Sequence, residues 1–169
     1  PRLLFVAHRE EILKQSQTVF RHVLRDANFG ELMVGGREPE GMDHLFISIQ
    51  TWISRQLHKE IAPDYYDYVV IDEFHHAAAD SYQQLLDHLR PQVMLGLTAT
   101  PERADGMDVL HRFDDHISAE IRLPDAINRK LLSPFQYFCI TDNVDLSGLR
   151  WQRGGYQVSE LENVYTGND

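Results

Sequence analysis

Two adjacent carboxylates, Asp72 and Glu73, follow directly on the apolar run Tyr68-Val69-Val70-Ile71. Successive side chains of an extended chain point to opposite sides, so an apolar strand that ends in an acid pair splits its two carboxylates. One can reach the water shell of a divalent cation while the other faces a different group. His75 and His76 come next. A second cluster, Thr98-Ala99-Thr100-Pro101, follows Val93-Met94-Leu95-Gly96-Leu97 and sets two hydroxyls on a turn. A third, Ala7-His8-Arg9, follows Leu3-Leu4-Phe5-Val6 where helical spacing begins, a place suited to holding a phosphate. A fourth, Ser48-Ile49-Gln50-Thr51, closes the run His44-Leu45-Phe46-Ile47.

Plainer readings stand beside these. Thr98 and Thr100 can simply satisfy a tight turn, and His76 can make a backbone hydrogen bond at a helix start. Arg9 can be a solvated charge, although a cation in a helix's first turn opposes the macrodipole, and that misfit favours a phosphate role. Direct metal ligation by His75 and His76 is disfavoured because no second His-x-Asp element accompanies them. Trp52, beside Ile53, reads as core rather than as a stacking platform for bases.

The elements that must position these residues alternate. Leu3 to Ala7 is a short unbroken apolar run, as expected of a strand buried on both faces. Ile12, Leu13, Val19, Phe20, Val23 and Leu24 then fall at helical spacing, with Glu10 and Glu11 early, Arg21 and Arg25 late, and Asn28 and Gly30 as stop signals. Strands are expected over His44 to Ile49, Tyr68 to Ile71 and Val93 to Leu97. A helix from Asp80, with Gln83 three residues on as a capping partner, would bury Tyr82, Leu85, Leu86 and Leu89. Beyond Pro101 the pattern loosens: a strand over His116 to Leu123, a helix over Asp125 to Leu132 and a strand over Phe135 to Thr141 are expected, then a polar connector. Strand, helix, strand with short connections gives an α/β, doubly wound, mostly parallel sheet, whose ligands bind at the carboxyl ends of the strands. All four polar clusters sit at such ends.

Composition narrows the class. With 169 residues, 43% of them hydrophobic and 25% charged, the chain can bury a sizeable core, and disorder, collagen and coiled coil are excluded. No run approaches the ~18 apolar residues of a membrane helix, so no membrane partner is expected. The single cysteine, Cys139, makes no internal disulfide and no cysteine-based zinc site, which sets a reducing, cytoplasmic location as the expectation. Twenty-six acidic against 16 basic residues, net −10, argue against nonspecific coating of nucleic acid while leaving room for a local basic groove.

The order of the clusters resembles the first RecA-like motor domain of a superfamily 2 helicase, in the branch with DEAD/DEAH-type boxes and type III restriction enzyme subunits. Leu3 to Glu11 resembles motif Ia, Ser48-Ile49-Gln50-Thr51 the nucleic-acid contact motif after it, Asp72-Glu73-Phe74-His75 the Walker B box with Phe74 where alanine is commoner, and Leu97-Thr98-Ala99-Thr100-Pro101 motif III. The resemblance covers roughly residues 3 to 103. It implies that Asp72 holds Mg²⁺ through water, that Glu73 polarises the water attacking the γ-phosphate of ATP, and that His75 links the nucleotide site to motif III. It also implies that Thr98 and Thr100 couple hydrolysis to movement, and that Ala7, His8, Arg9, Gln50 and Thr51 line the path of a nucleic-acid strand.

There are departures. No G-x-x-x-x-G-K-S/T occurs: Gly30 and Gly35 have the glycine spacing, but Gly36-Arg37 follows, and none of the three lysines (Lys14, Lys59, Lys130) follows a glycine-rich loop. The chain opens at Pro1 as if cut from something longer, so the expectation is a parent ATPase using Mg²⁺ and ATP, with neither bound by this piece alone. Residues 1–132 are expected to be the truncated helicase domain and 133–169 a connector towards a second RecA-like domain. DNA is preferred over RNA as partner, and self-association through the open sheet edge at Val93 to Leu97 is expected, or cover of that edge by Phe135 to Thr141. Two rivals remain: a metal-dependent phosphohydrolase built on Asp72, Glu73, His75 and His76, and a non-catalytic module of helicase-like shape.

Overall fold

The computed structural model describes residues 1–74, 80–100, 113, 115–138, 149, 151–152 and 155–156. The chain divides into two units, Pro1–Ser118 and Ala119–Asp169. The first holds five parallel strands, β1 (Leu3–Ala7), β2 (Glu31–Met33), β3 (His44–Ser48), β4 (Tyr68–Ile71) and β5 (Val93–Gly96), in the order β2-β3-β1-β4-β5. Helices α1 (Glu10–Leu24), α2 (Ile49–Ser54) and α3 (Asp80–His88) connect them, with a 3₁₀ turn over Leu57–Lys59. The sheet is therefore parallel and doubly wound, as expected. Strands β1 and β4 have the expected bounds, because continuous apolar runs leave little choice of register or face.

Alternate residues of the central strands enter two cores. Leu4, Val6, Leu45, Ile47, Val69 and Ile71 meet Trp52 from α2 and Tyr82, Leu85, Leu86 and Leu89 from α3 and its end. Leu3, Phe5, Ala7, Phe46 and Val70 face the other way, against Leu13 of α1, with Phe20 and Phe29 packed alongside. Burying side chains of this size stabilises by roughly 2 kcal/mol each, so these two layers supply most of the driving force. Trp52 is fully buried and belongs to the core.

Helix α1 departs from its expected apolar face. Leu13 and Gln17 are buried, while Val19, Val23 and Leu24 lie more than half exposed, at 53%, 70% and 52%. A glutamine goes inside because Gln17 Nε2 donates to the Gly30 carbonyl at 2.7 Å, and Arg21 donates to the same oxygen at 2.9 Å. That carbonyl lies at the turn into β2, a short strand the apolar pattern did not announce. Ile49, Gln50 and Thr51 belong to α2 rather than extending β3, because the Ser48 side chain caps the helix by accepting from the Thr51 N–H at 3.1 Å.

Among the described residues strand β5 is the sheet edge, paired only with β4, and Val93 and Leu95 are 47% and 42% exposed. No helix among the described residues is long and apolar enough to cross a membrane. Residues 116–122 form no strand, and in the second unit α4 occupies Leu123–Asn128 rather than Asp125 to Leu132. Pro124 in its first turn suits an earlier start, since a missing N–H costs nothing there. Residues 135–138 are not strand, and Phe135, Tyr137 and Phe138 are exposed; Cys139 to Thr141 lie outside the described residues. Trp151–Gln152 and Gly155–Tyr156 form a two-stranded antiparallel ladder.

Gly30 tests the α1–β2 junction. Its φ is +76°, and a Cβ there would stand 2.5 Å from the Phe46 ring. Gly30→Ala is expected to cost about 2–4 kcal/mol, combining left-handed strain with overpacking. Urea denaturation checks this; a loss below about 0.5 kcal/mol would mean the junction is loose.

Candidate functional site

Register brings the four clusters to one edge. Ala7 lies opposite Ser48, Val6 opposite Ile71, and Ile71 opposite Gly96, so β3, β1, β4 and β5 end side by side. Ala7-His8-Arg9 and Ser48 to Thr51 leave neighbouring strands, and Asp72-Glu73 leaves the strand on the other side of β1. Ala7 is buried, His8 and Thr51 half-buried, and Arg9 and Gln50 exposed. Arg9 stands at the N-cap of α1, one position before its first turn, with extended backbone and no side-chain capping bond. The Thr51 hydroxyl is engaged with Ser48 Oγ at 2.8 Å, so its local duty is to start α2.

The acid pair sits on a turn pinned from two sides. The Asp72 N–H donates to the Val6 carbonyl at 2.9 Å, and the Phe74 N–H donates to the Leu97 carbonyl at 2.8 Å. The Leu97 N–H in turn donates to the Ile71 carbonyl at 2.9 Å. Between these anchors Glu73 takes φ +53°, the left-handed region, which costs a residue with a Cβ roughly 1 kcal/mol. Asp72 and Glu73 are half-buried and Phe74 is buried. His75 and His76 lie outside the described residues.

The hydroxyl cluster follows β5 directly. Thr98 is half-buried and its Oγ1 accepts from the Thr100 N–H at 3.1 Å, closing a small turn; Thr100 is exposed. This bond satisfies the plainer reading of Thr98, and the turn follows directly on Leu97, whose carbonyl accepts from the Phe74 N–H.

Tyr82, read from the sequence only as core, contributes to the site. Its side chain is 3% exposed, and its hydroxyl has no hydrogen-bond partner among the described residues. Burial first, then the charges of Asp72 and Glu73, push the phenol up to about 12 from an ordinary 10. The corner is thus electronegative and oxygen-rich. Such a donor set fits a hard cation such as Mg²⁺, which takes carboxylate oxygens and keeps much of its water. Among the described residues no group of three or more His, Cys, Asp or Glu side chains gathers, so no all-protein metal cage is formed there.

A parallel sheet with an acid pair at the end of one inner strand and a hydroxyl turn at the end of the next defines a RecA-like domain of the superfamily 2 helicase type. Residues 1–103 match the family described as type III restriction enzyme, res subunit, and the chain belongs to that family. It is 27% identical over 164 residues to the type I restriction enzyme EcoAI endonuclease subunit of Escherichia coli, covering 90% of this chain and 19% of that protein. It is 27% identical over 168 residues to the putative ATP-dependent helicase IRC3 of Saccharomyces cerevisiae, covering 95% of this chain and 24% of that one. The chain thus spans about a quarter or less of the length of these curated relatives. The helicase domain of Hef from Pyrococcus furiosus shares the fold, with a TM-score of 0.54 at 21% identity over 67% of this chain and 27% of that one.

An unpartnered buried hydroxyl is a cost, so Tyr82→Phe is expected to leave stability at pH 7 unchanged or raised by up to about 1 kcal/mol. The phenol's pKa is higher in the folded chain, so the folded state holds the proton more tightly. Its contribution is therefore full below pH 10 and is lost as pH rises to about 12. Chemical denaturation at pH 7 and pH 11 checks both, and Tyr82→Phe should flatten the fall between them. A destabilised variant at pH 7 would show that the hydroxyl has a partner.

Proposed function

We propose that this chain is the part of an ATP-dependent DNA helicase or translocase that activates water for ATP hydrolysis and relays the event to bound nucleic acid. The observation that carries the reading is the pinned acid turn: Asp72 and Glu73 at the end of β4, tied through Phe74 and Leu97 to the strand that ends in Thr98 and Thr100. When bound, Mg²⁺ with ATP supplies the polarised phosphate. Asp72 is the residue to hold the cation through water, and Glu73 is the general base that takes a proton from the attacking water. His75, as the resemblance implies, connects this turn to Thr98 and Thr100, which pass the change on. Ala7, His8, Arg9, Gln50 and Thr51, on two neighbouring strand ends, form the track for a phosphate backbone, with Arg9 its exposed cation.

Membership in the restriction-enzyme family and similarity to a protein named as a putative ATP-dependent helicase support this reading. DNA is favoured over RNA on the same ground. A second RecA-like domain would complete the site, with residues 133–169 as the connector and residues 1–132 as the helicase domain. A cytoplasmic location agrees with the lone cysteine. By itself the 169-residue chain carries no G-x-x-x-x-G-K-S/T, whose backbone amides and lysine cradle phosphates, so it is expected to be inactive alone.

Calorimetric titration of this chain with Mg-ATP should show no binding in the micromolar range; clear binding there would mean that another loop replaces the missing one. In the full-length polypeptide, Glu73→Gln should spare nucleotide binding and cut ATP turnover on the order of 100-fold or more. Turnover near the wild-type rate would remove Glu73 from the mechanism.

The open edge gives a second test. Among the described residues the outer side of β5 has no partner strand, and exposed apolar edges of this kind recruit further strands. We expect concentration-dependent self-association of this chain in sedimentation, abolished by Leu95→Lys. A chain that stays monomeric at high concentration, or an unaffected Leu95→Lys variant, sinks the edge as the contact.

A further inference from the structure

Glu73 is the most strained position at the site, and something must oppose its return to ordinary backbone geometry. Its backbone φ of +53° is bracketed by the Asp72 bond to β1 and the Phe74 bond to Leu97. Of the two flanking side chains, that of Phe74 is the buried one, at 2% exposure. Its ring lies across β5 directly over Gly96: a Cβ on Gly96 would stand 2.8 Å from Phe74 Cγ, 3.0 Å from Cδ2 and 2.8 Å from Phe113 Cζ. No side chain fits at residue 96 unless both rings shift. The Phe113 ring packs against Phe74, edge to face at 4.8 Å and 62°, and it too lies against Gly96.

We propose that Phe74 is a positioning residue for the water-activating glutamate, and that Gly96 is its seat. Phe74, packed against Gly96 and Phe113, keeps the Phe74–Leu97 bond closed and so holds Glu73 in its left-handed conformation. The acid turn and the start of the Thr98 turn then move as one body, because both hang from Leu97. The catalytic half of this statement rests on the ATPase reading above; the mechanical half does not.

The test is amide hydrogen exchange on this chain without nucleotide, reading the residue-74 amide against the Val70 amide in the sheet. Phe74→Ala and Gly96→Ala, the first emptying the seat and the second filling it, should each speed exchange at residue 74 about tenfold relative to Val70. Glycine adopts positive φ without strain, so adding Glu73→Gly to Phe74→Ala should bring residue-74 exchange back to within about twofold of the wild type. A ring that merely fills the core would lower global stability, and the glycine would not rescue it. Should Phe74→Ala fail to fold, Phe74→Leu carries the same comparison, with a smaller acceleration that Glu73→Gly again reverses. Unchanged protection at residue 74, or acceleration that the glycine does not reverse, overturns the proposal. Because no nucleotide is present, that outcome leaves the ATPase reading untouched. An inactive full-length protein would in turn leave the exchange result standing.

Discussion

Strand β1 is paired on both edges and covered on both faces, so neither its backbone groups nor its side chains have water to turn to. Unpaired buried N–H and C=O groups are costly, and the parallel ladders to β3 and β4 are the only way to satisfy them. Those ladders fix where neighbouring strands end. A slip of one residue would turn Leu4, Val6 and Ile47 out of one core and Leu3, Phe5 and Phe46 out of the other. The level at which Ala7, Ser48 and Ile71 finish is therefore set by hydrophobic burial, well before any functional residue is considered.

The polar residues then inherit that level. Arg9, Gln50, Asp72 and Thr98 are each placed by a strand whose interior has no freedom to shift. The structure spends strain at one point only along this edge of described turns, at Glu73, and surrounds it with bonds to the strands on either side. A strained residue persists only where its neighbours over-determine it, which is the situation between the Val6 and Leu97 carbonyls. Burial first, and then the two carboxylates, raise the pKa of the Tyr82 phenol beside this turn.

Electrostatics elsewhere is modest. The ion pairs Lys14–Glu10 and Arg55–Glu38 are exposed and contribute little in water. Buried polar bonds matter more. Gln17 and Arg21 converge on the Gly30 carbonyl, and this satisfies a backbone group at the one junction where α1 must hand the chain to the sheet. Under the proposed function, the net charge of −10 would leave any nucleic-acid contact to local cations such as Arg9.

The sequence by itself determined the continuous strands and the clusters that end them. Leu3 to Ala7, Tyr68 to Ile71 and the apolar face of α3 were legible because an unbroken apolar run, or a 3.6-residue period, is a local property that both faces of the sheet then bury. The four motifs were legible for the same reason, each being contiguous. Tertiary structure alone decided what depends on a partner distant in the chain. Gln17 is buried because of a carbonyl at residue 30, and Gln50 and Thr51 are helical because Ser48 caps them. Residues 116–122 carry an alternating pattern without forming a strand, because alternation is a local signal and a strand also needs a partner to pair with. Gly96 looked like an ordinary strand glycine until Phe74 and Phe113 were seen to fill the space its missing side chain leaves. The left-handed turn at Glu73 had no signal in residue type at all, because the energy that holds it comes from hydrogen bonds to two other strands.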